Sequence, residues 1–219
     1  MRYNIFDIET GPLPVSQLVD LMPEFEAPKN FKDSEKIERN KKEQEARWIE
    51  KAALSATTGQ VLAIGVKQAH DGSTLIVDQR QKSEAEILEW FWNEVTDQPG
   101  MRWVGFNSNG FDLPFLFRRS LLHGITPSFP FRATRYWDSR FIDLMEVWGC
   151  GSKEYIKLDD LCRYVGIGGK TGSGKYFAEI FVTDPKAAIE YLKMDLELTE
   201  ALMLKFLPWI NPETNGGQQ

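Results

Sequence analysis

The run Arg2-Tyr3-Asn4-Ile5-Phe6-Asp7-Ile8-Glu9-Thr10 constrains this chain more than any other stretch. Its aromatic and β-branched residues favour an extended segment. Along a strand, residues i and i+2 share a face, so Asp7 and Glu9 point one way and Phe6 and Ile8 the other. A strand with one face for a core and two adjacent carboxylates on the other needs something to offset their repulsion. A hard divalent cation such as Mg²⁺ does this, because it takes carboxylate oxygens. Alone, the pair reads as structural or solvated, since 32 acidic residues in 219 produce such spacings by chance. Its meaning rests on partners later in the chain.

A chain of 219 residues buries a substantial core and is expected to be one domain over 1–210, with a charged helical insertion at about 15–55 and a disordered tail at 211–219. Hydrophobic residues are 42% and charged residues 26%, the balance of a globular protein. Cys150 and Cys162 have neither metal-finger nor disulfide-framework spacing, and the apolar run behind Arg2 is too short and too acidic for a leader. A reduced, cytoplasmic setting is the expectation. No stretch approaches the roughly 20 apolar residues of a membrane span, so no membrane partner is expected. The net charge of −6 disfavours tight non-specific binding of duplexes, which depends on Lys and Arg neutralising phosphates.

After the first strand, Gly11-Pro12-Leu13-Pro14 predicts a turn and residues 15–32 an irregular stretch. Ser34 is a candidate cap for a helix over 34–54, polar on most sides with a thin stripe of Ile37, Trp48, Ile49, Ala52 and Ala53. It reads either as a solvated helix with charge pairs at i,i+4 or as an arm that guides substrate or binds a partner. Residues 60–69 and 73–78 predict two strands joined at Asp71-Gly72. Ser83-x-x-Glu86 opens a helix carrying Ile87, Leu88, Trp90, Phe91 and Val95. Strand 103–106 follows, then a helix from Gly110 to a stop at Gly124, a looser segment at 125–140, and a strand at 141–144. A short helix over 158–165 precedes a glycine-rich loop, and Asp184-Pro185 starts a long apolar helix to about Phe206. The predicted class is α/β, a partly antiparallel sheet with helices on its faces.

Two later sites answer the first pair. Asn107-Ser108-Asn109-Gly110-Phe111-Asp112 sits where a strand meets a helix, the kind of strand end at which ligand groups gather in α/β sheets. Asp112 alone is equally a helix-start carboxylate. In the last helix, Tyr191 and Asp195 share a face at i,i+4 with Ala187, Ala188, Leu198 and Leu202. A carboxylate on such an apolar face needs a partner.

Taken together, Asp7-Ile8-Glu9, Asn107-x-x-x-Phe111-Asp112 and Tyr191-x-x-x-Asp195 resemble the three motifs of the DEDDy group of 3′–5′ exonucleases in the ribonuclease H-like superfamily. The chain is similar to stand-alone counterparts of the proofreading exonuclease domain of family B DNA polymerases, from residue 3 to about 205. Leu158-Asp159-Asp160-Leu161 through Gly166-Ile167 adds to the likeness, and the charged insertion departs from it. The resemblance implies a ribonuclease H-like mixed sheet of about five strands, one antiparallel, flanked by helices. It implies two divalent ions, Mg²⁺ or Mn²⁺, held by Asp7, Glu9, Asp112 and Asp195, with Asp7 as the bridge. It implies Tyr191 as the residue that orients the attacking water, since a phenol that titrates near about 10 is a poor base at neutral pH. Thr10, Asn107, Phe111, Lys170 and Lys175 are the expected substrate-binding residues. The substrate is a single-stranded 3′ end, DNA ahead of RNA, and the partners are proteins of replication or repair. An exoribonuclease and a non-catalytic adaptor of the same fold are the alternatives.

Gly169-Lys170-Thr171-Gly172-Ser173-Gly174-Lys175 imitates a phosphate loop, but Tyr176 stands where Ser or Thr must hold Mg²⁺. The segment reads instead either as a loop near the substrate with Lys170 and Lys175 on phosphates or as a plain connector. Arg132, Arg135 and Arg140, with Tyr136 and Trp137, suit a grip on a single strand by charge and stacking, or a surface segment anchored by aromatics.

Overall fold

The computed structural model describes residues 1–96, 98, 100–127, 140–152, 154–169 and 177–211. Arg132, Arg135, Tyr136, Trp137, Lys170, Lys175 and the tail beyond Asn211 lie outside the described residues.

The described strands form a five-stranded sheet in the order β3-β2-β1-β4-β5. β1 (Tyr3–Pro12) is central, β2 (Gly59–Gln68) and β3 (Thr74–Asp78) lie to one side, and β4 (Arg102–Gly105) and β5 (Phe141–Asp143) to the other. β2 runs antiparallel to both its neighbours, while β1, β4 and β5 are parallel, so the sheet is mixed as expected. β1 extends farther than the proline-rich turn suggested. Pro12 pairs with Gly59 at the strand end, where its missing N–H costs no ladder bond, and the register shifts between Glu9 and Thr10.

The alternation along β1 assigns its two faces. Phe6 and Ile8 enter a core with α3 (Glu84–Thr96) and α4 (Asp112–His123), through Ile87, Leu88, Phe91, Leu113 and Leu116. Phe6 touches Phe91, Trp103 and Phe141, with ring centroids 5.4, 6.5 and 6.0 Å away. On the opposite face Ile5 and Val104 pack with Leu161 and Cys162 of α6 (Leu158–Tyr164) and Leu196 of α8 (Pro185–Ile210). Leu62 and Ala63 pack with Phe177 and Phe181 of α7 (Phe177–Thr183).

Local signals account for the helix ends. Ser83 and Glu86 form the reciprocal box, with Ser83 N–H to Glu86 Oε2 at 2.8 Å. Asp184 accepts from Ala187 N–H ahead of Pro185, and Gly124 stops α4 in the left-handed region at φ 69°. Elsewhere the structure differs. α2 (Ser34–Ala52) is capped by Asp33, whose carboxylate accepts from Glu35 and Lys36, so Ser34 is the first helical residue. A short α1 (Val15–Leu18) and a 3₁₀ turn (Val19–Leu21) occupy part of the stretch expected to be irregular. α4 begins at Asp112 because Gly110 is used in the preceding turn. α5 (Leu144–Gly149) and α7 are additional short helices, and α8 runs one turn past Phe206 with Pro208 inside it.

α3, α4 and β2 meet at a buried ionic cluster. Arg119 forks onto Glu84 at 2.9 and 2.6 Å and reaches the Ala56 carbonyl at 3.1 Å, while Val61 N–H and His123 also engage Glu84. Burial alone raises a carboxyl, but the bonds from Arg119, Val61 and His123 outweigh it and hold Glu84 below its ordinary value. A depressed carboxyl stabilises the fold above its unfolded-state value and loses that contribution as pH falls through the folded one. Glu84→Ala is expected to cost about 3–5 kcal/mol at neutral pH, because it leaves Arg119 buried and uncompensated. Thermal unfolding at pH 7 and pH 3 checks this: the gap from wild type narrows at the lower pH.

Candidate active site

Asp7, Glu9 and Asp195 meet over the sheet, each offering a carboxylate oxygen within 4.8 Å of the others. Asp7 is half-buried, while Glu9 and Asp195 are 9% and 7% exposed. Strand pleating puts the first two on the face that α8 covers, and Asp195 projects from that helix beside Leu192 and Leu196. The close approach of α8 comes from Gly65, the cross-strand partner of Asp7. A Cβ there would lie 2.7 Å from Leu196 Cδ1 and 3.2 Å from Leu192 Cγ, so only glycine lets the helix sit this low. Lys67 ties the same helix to β2 through Glu200 at 2.9 Å.

Asp112 stands apart from this trio. From the start of α4, its Oδ1 accepts from the Ile8 N–H at 3.2 Å, which ties it to β1 at the residue between Asp7 and Glu9. Burial, with a smaller push from the negative Asp143, raises Asp112 to about 7, against the pull of hydrogen bonds from the Ile8 and Asp112 N–H groups. A raised carboxyl contributes stability below its unfolded-state value and loses it as pH rises through about 7. In EDTA, Asp112→Asn is therefore expected to raise Tm at pH 8 and to gain much less at pH 5. Equal gains at both pH values would contradict the buried charge.

Asp143 is the residue that shapes the loop before Asp112. Its Oδ1 accepts from Asn107 N–H at 2.8 Å and Met145 N–H at 2.9 Å, and its Oδ2 from Asn109 N–H at 2.9 Å. Burial raises its carboxyl, opposed by the Asn109 and Met145 bonds. Asn109 Nδ2 donates to Glu146 at 2.6 Å, so β5 and α5 pin the loop from below. Asn107 takes φ 58°, a conformation asparagine tolerates, and its carbonyl accepts from Gly110 and Phe111. Asn107 thus has a turn-forming role in addition to its expected place at the substrate.

Tyr191 lies one helical turn before Asp195 and packs on Phe177, ring centroids 6.4 Å apart. Thr10 donates its hydroxyl to the Ala53 carbonyl at 2.7 Å, so its donor serves the protein itself. Beside Glu9 opens a cleft of about 490 Å³, with Ile8, Glu9 and Thr10 of β1, Phe111 and Ala178 in its lining. The end of α2 supplies further wall. Gly65 was missed in the sequence, where a glycine inside a strong strand was the available signal.

The three carboxylates offer only hard oxygen donors, a set that fits Mg²⁺ or Mn²⁺ and not a soft metal. No helix among the described residues is long and apolar enough to cross a membrane.

Comparison with known proteins agrees with this arrangement. The solved family B DNA polymerase from the hyperthermophilic archaeon Pyrobaculum calidifontis superposes with a TM-score of 0.60 at 20% identity. The match covers 95% of this chain and 25% of the polymerase, so the chain spans about a quarter of that protein's length. No curated protein matches the chain. The family model for a predicted 3′–5′ exonuclease related to the exonuclease domain of PolB matches residues 53–208. The sheet is the ribonuclease H-like α/β fold expected of that exonuclease domain, and the chain belongs to the family of predicted 3′–5′ exonucleases related to the PolB exonuclease.

Proposed function

We propose that this chain is a metal-dependent exonuclease that removes nucleotides from the 3′ ends of single strands, DNA in preference to RNA. The convergence of Asp7, Glu9 and Asp195 on one face of the sheet carries the reading. Asp7, Glu9 and Asp195 would hold divalent ions, with Asp112 completing the set from its position on the Ile8 N–H. Bound there, two such ions supply an activated water, neutralise the phosphate and stabilise the leaving oxygen. The chain's own residues do the rest. β1 and α8 fix the carboxylates before substrate arrives. Asp143 holds the Asn107–Phe111 loop against the strand ends. Phe111 gives a terminal base an apolar face, and Tyr191 orients the attacking water. A single unpaired strand suits a cleft of this size, and the acidic balance of the chain suits modest affinity for it. Replication or repair proteins are the proposed partners, in a reduced cytoplasmic setting.

Tyr191→Phe is expected to lower kcat by roughly ten- to a hundredfold and to leave Mn²⁺ affinity unchanged. Loss of metal binding in that variant would remove the assigned role.

The test is degradation of a 5′-labelled single-stranded DNA and an RNA of the same sequence with Mg²⁺, Mn²⁺ or EDTA. A ladder shortening from the 3′ end, faster on DNA and absent in EDTA, is expected. Faster loss of RNA would make the enzyme an exoribonuclease. Binding of both strands without cleavage would make the fold an adaptor and overturn the proposal.

A further inference from the structure

We propose that the C-terminal end of α2 is a substrate-contacting wall of this cleft, where Leu54 meets the 3′-terminal base and Lys51 its phosphate. The inference deepens the exonuclease reading and rests on it. Most of α2 behaves as a solvated helix, with ion pairs such as Arg39–Glu43 at 4.0 Å and Lys42–Glu38 at 3.9 Å that contribute little. Its last turn is built differently. Thr10 Oγ1 donates to the Ala53 carbonyl at 2.7 Å and Thr58 Oγ1 to the Ala52 carbonyl at 2.9 Å. The carbonyls of Ala52, Ala53 and Ser55 crowd Gly59 so closely that a Cβ there would lie 2.9–3.0 Å from them. A helix kept only for solubility gains nothing from being locked to the strand that carries Asp7 and Glu9.

The locked end faces the cleft. Glu50, Lys51 and Leu54 line it together with Phe111 and Glu9. Leu54 is 65% exposed, a large apolar side chain held beside a half-buried aromatic. A nucleobase has an apolar face that such a pair can take. Lys51 is the one basic side chain among the described residues lining the cleft, at a site whose other charges are the carboxylates of Glu9 and Glu50. Lys51 sets a positive charge in the cleft where a phosphate would enter beside Glu9. Two plainer roles compete: a lysine in the last turn complements the helix dipole, and single exposed leucines are common.

The experiment uses the full chain as wild type, Lys51→Ala, Leu54→Ser and the double variant, with Lys42→Ala as a control elsewhere on α2. It measures dTMP binding by calorimetry with and without Mn²⁺, Tm, and kcat and KM on a labelled single strand. Each cleft variant is expected to weaken dTMP binding and raise KM roughly five- to tenfold, with kcat and Tm held. Lys42→Ala is expected to match wild type. Wild-type dTMP affinity in the double variant, no dTMP binding by wild type, or a loss that only tracks a lower Tm would each overturn the wall. Leu54-dependent dTMP binding by a protein that never shortens DNA would leave the wall standing and remove the exonuclease reading.

Discussion

Asp7→Ala is expected to lower kcat by roughly a thousandfold or more while leaving the protein folded. Asp7 sits on the central strand with Glu9 and is the most exposed of the acidic trio. The variant also removes one of three clustered negative charges. In EDTA its Tm should therefore equal or exceed that of wild type, because the metal-free cluster repels itself. Lost activity with an undiminished Tm separates a site residue from a folding residue. Activity near wild type would move the chemistry away from this face of the sheet.

Gly65→Val is expected to show the opposite pattern, with stability and activity falling together but unequally. A side chain at 65 must displace Leu192 or Leu196, both fully buried between α8 and the sheet. Overpacking of this kind costs about 1–3 kcal/mol. Asp195 lies between those two leucines in the helix, so whatever lifts them lifts its carboxylate from Asp7. A displacement of about 1 Å at a reacting centre costs about a hundredfold in rate. Tm, kcat and Mn²⁺ affinity measured together check this, with Gly65→Ala as a milder step in the same direction. A valine variant that keeps full metal affinity would mean that the depth of α8 does not set the site.

Much of this arrangement was legible in the chain because its signals are local. Alternation along 3–10 assigned the faces of β1, and the side chains at Ser83–Glu86, Gly124 and Asp184-Pro185 set helix ends by contacts within four residues. What was not legible depends on packing between distant segments. Asp33 and Ser34 are both good caps, and only the chain's path into α2 chooses between them. α5 and α7 are six and seven residues long, too short to display a helical period. The motifs brought Asp112 to the site on the strength of resemblance, and the fold places it one step back, on the Ile8 N–H rather than within the trio. Asp143 gains its meaning only from the backbone of Asn107 and Asn109, more than thirty residues earlier.

The most direct measurement is a Mn²⁺ titration followed by electron paramagnetic resonance on wild type, Asp7→Ala and Asp195→Ala. Saturable binding by wild type, weakened severely in both variants although they come from segments at opposite ends of the chain, is the predicted result. Wild-type protein that binds no Mn²⁺, or variants that bind it as wild type does, would contradict the assignment of these carboxylates as a metal centre.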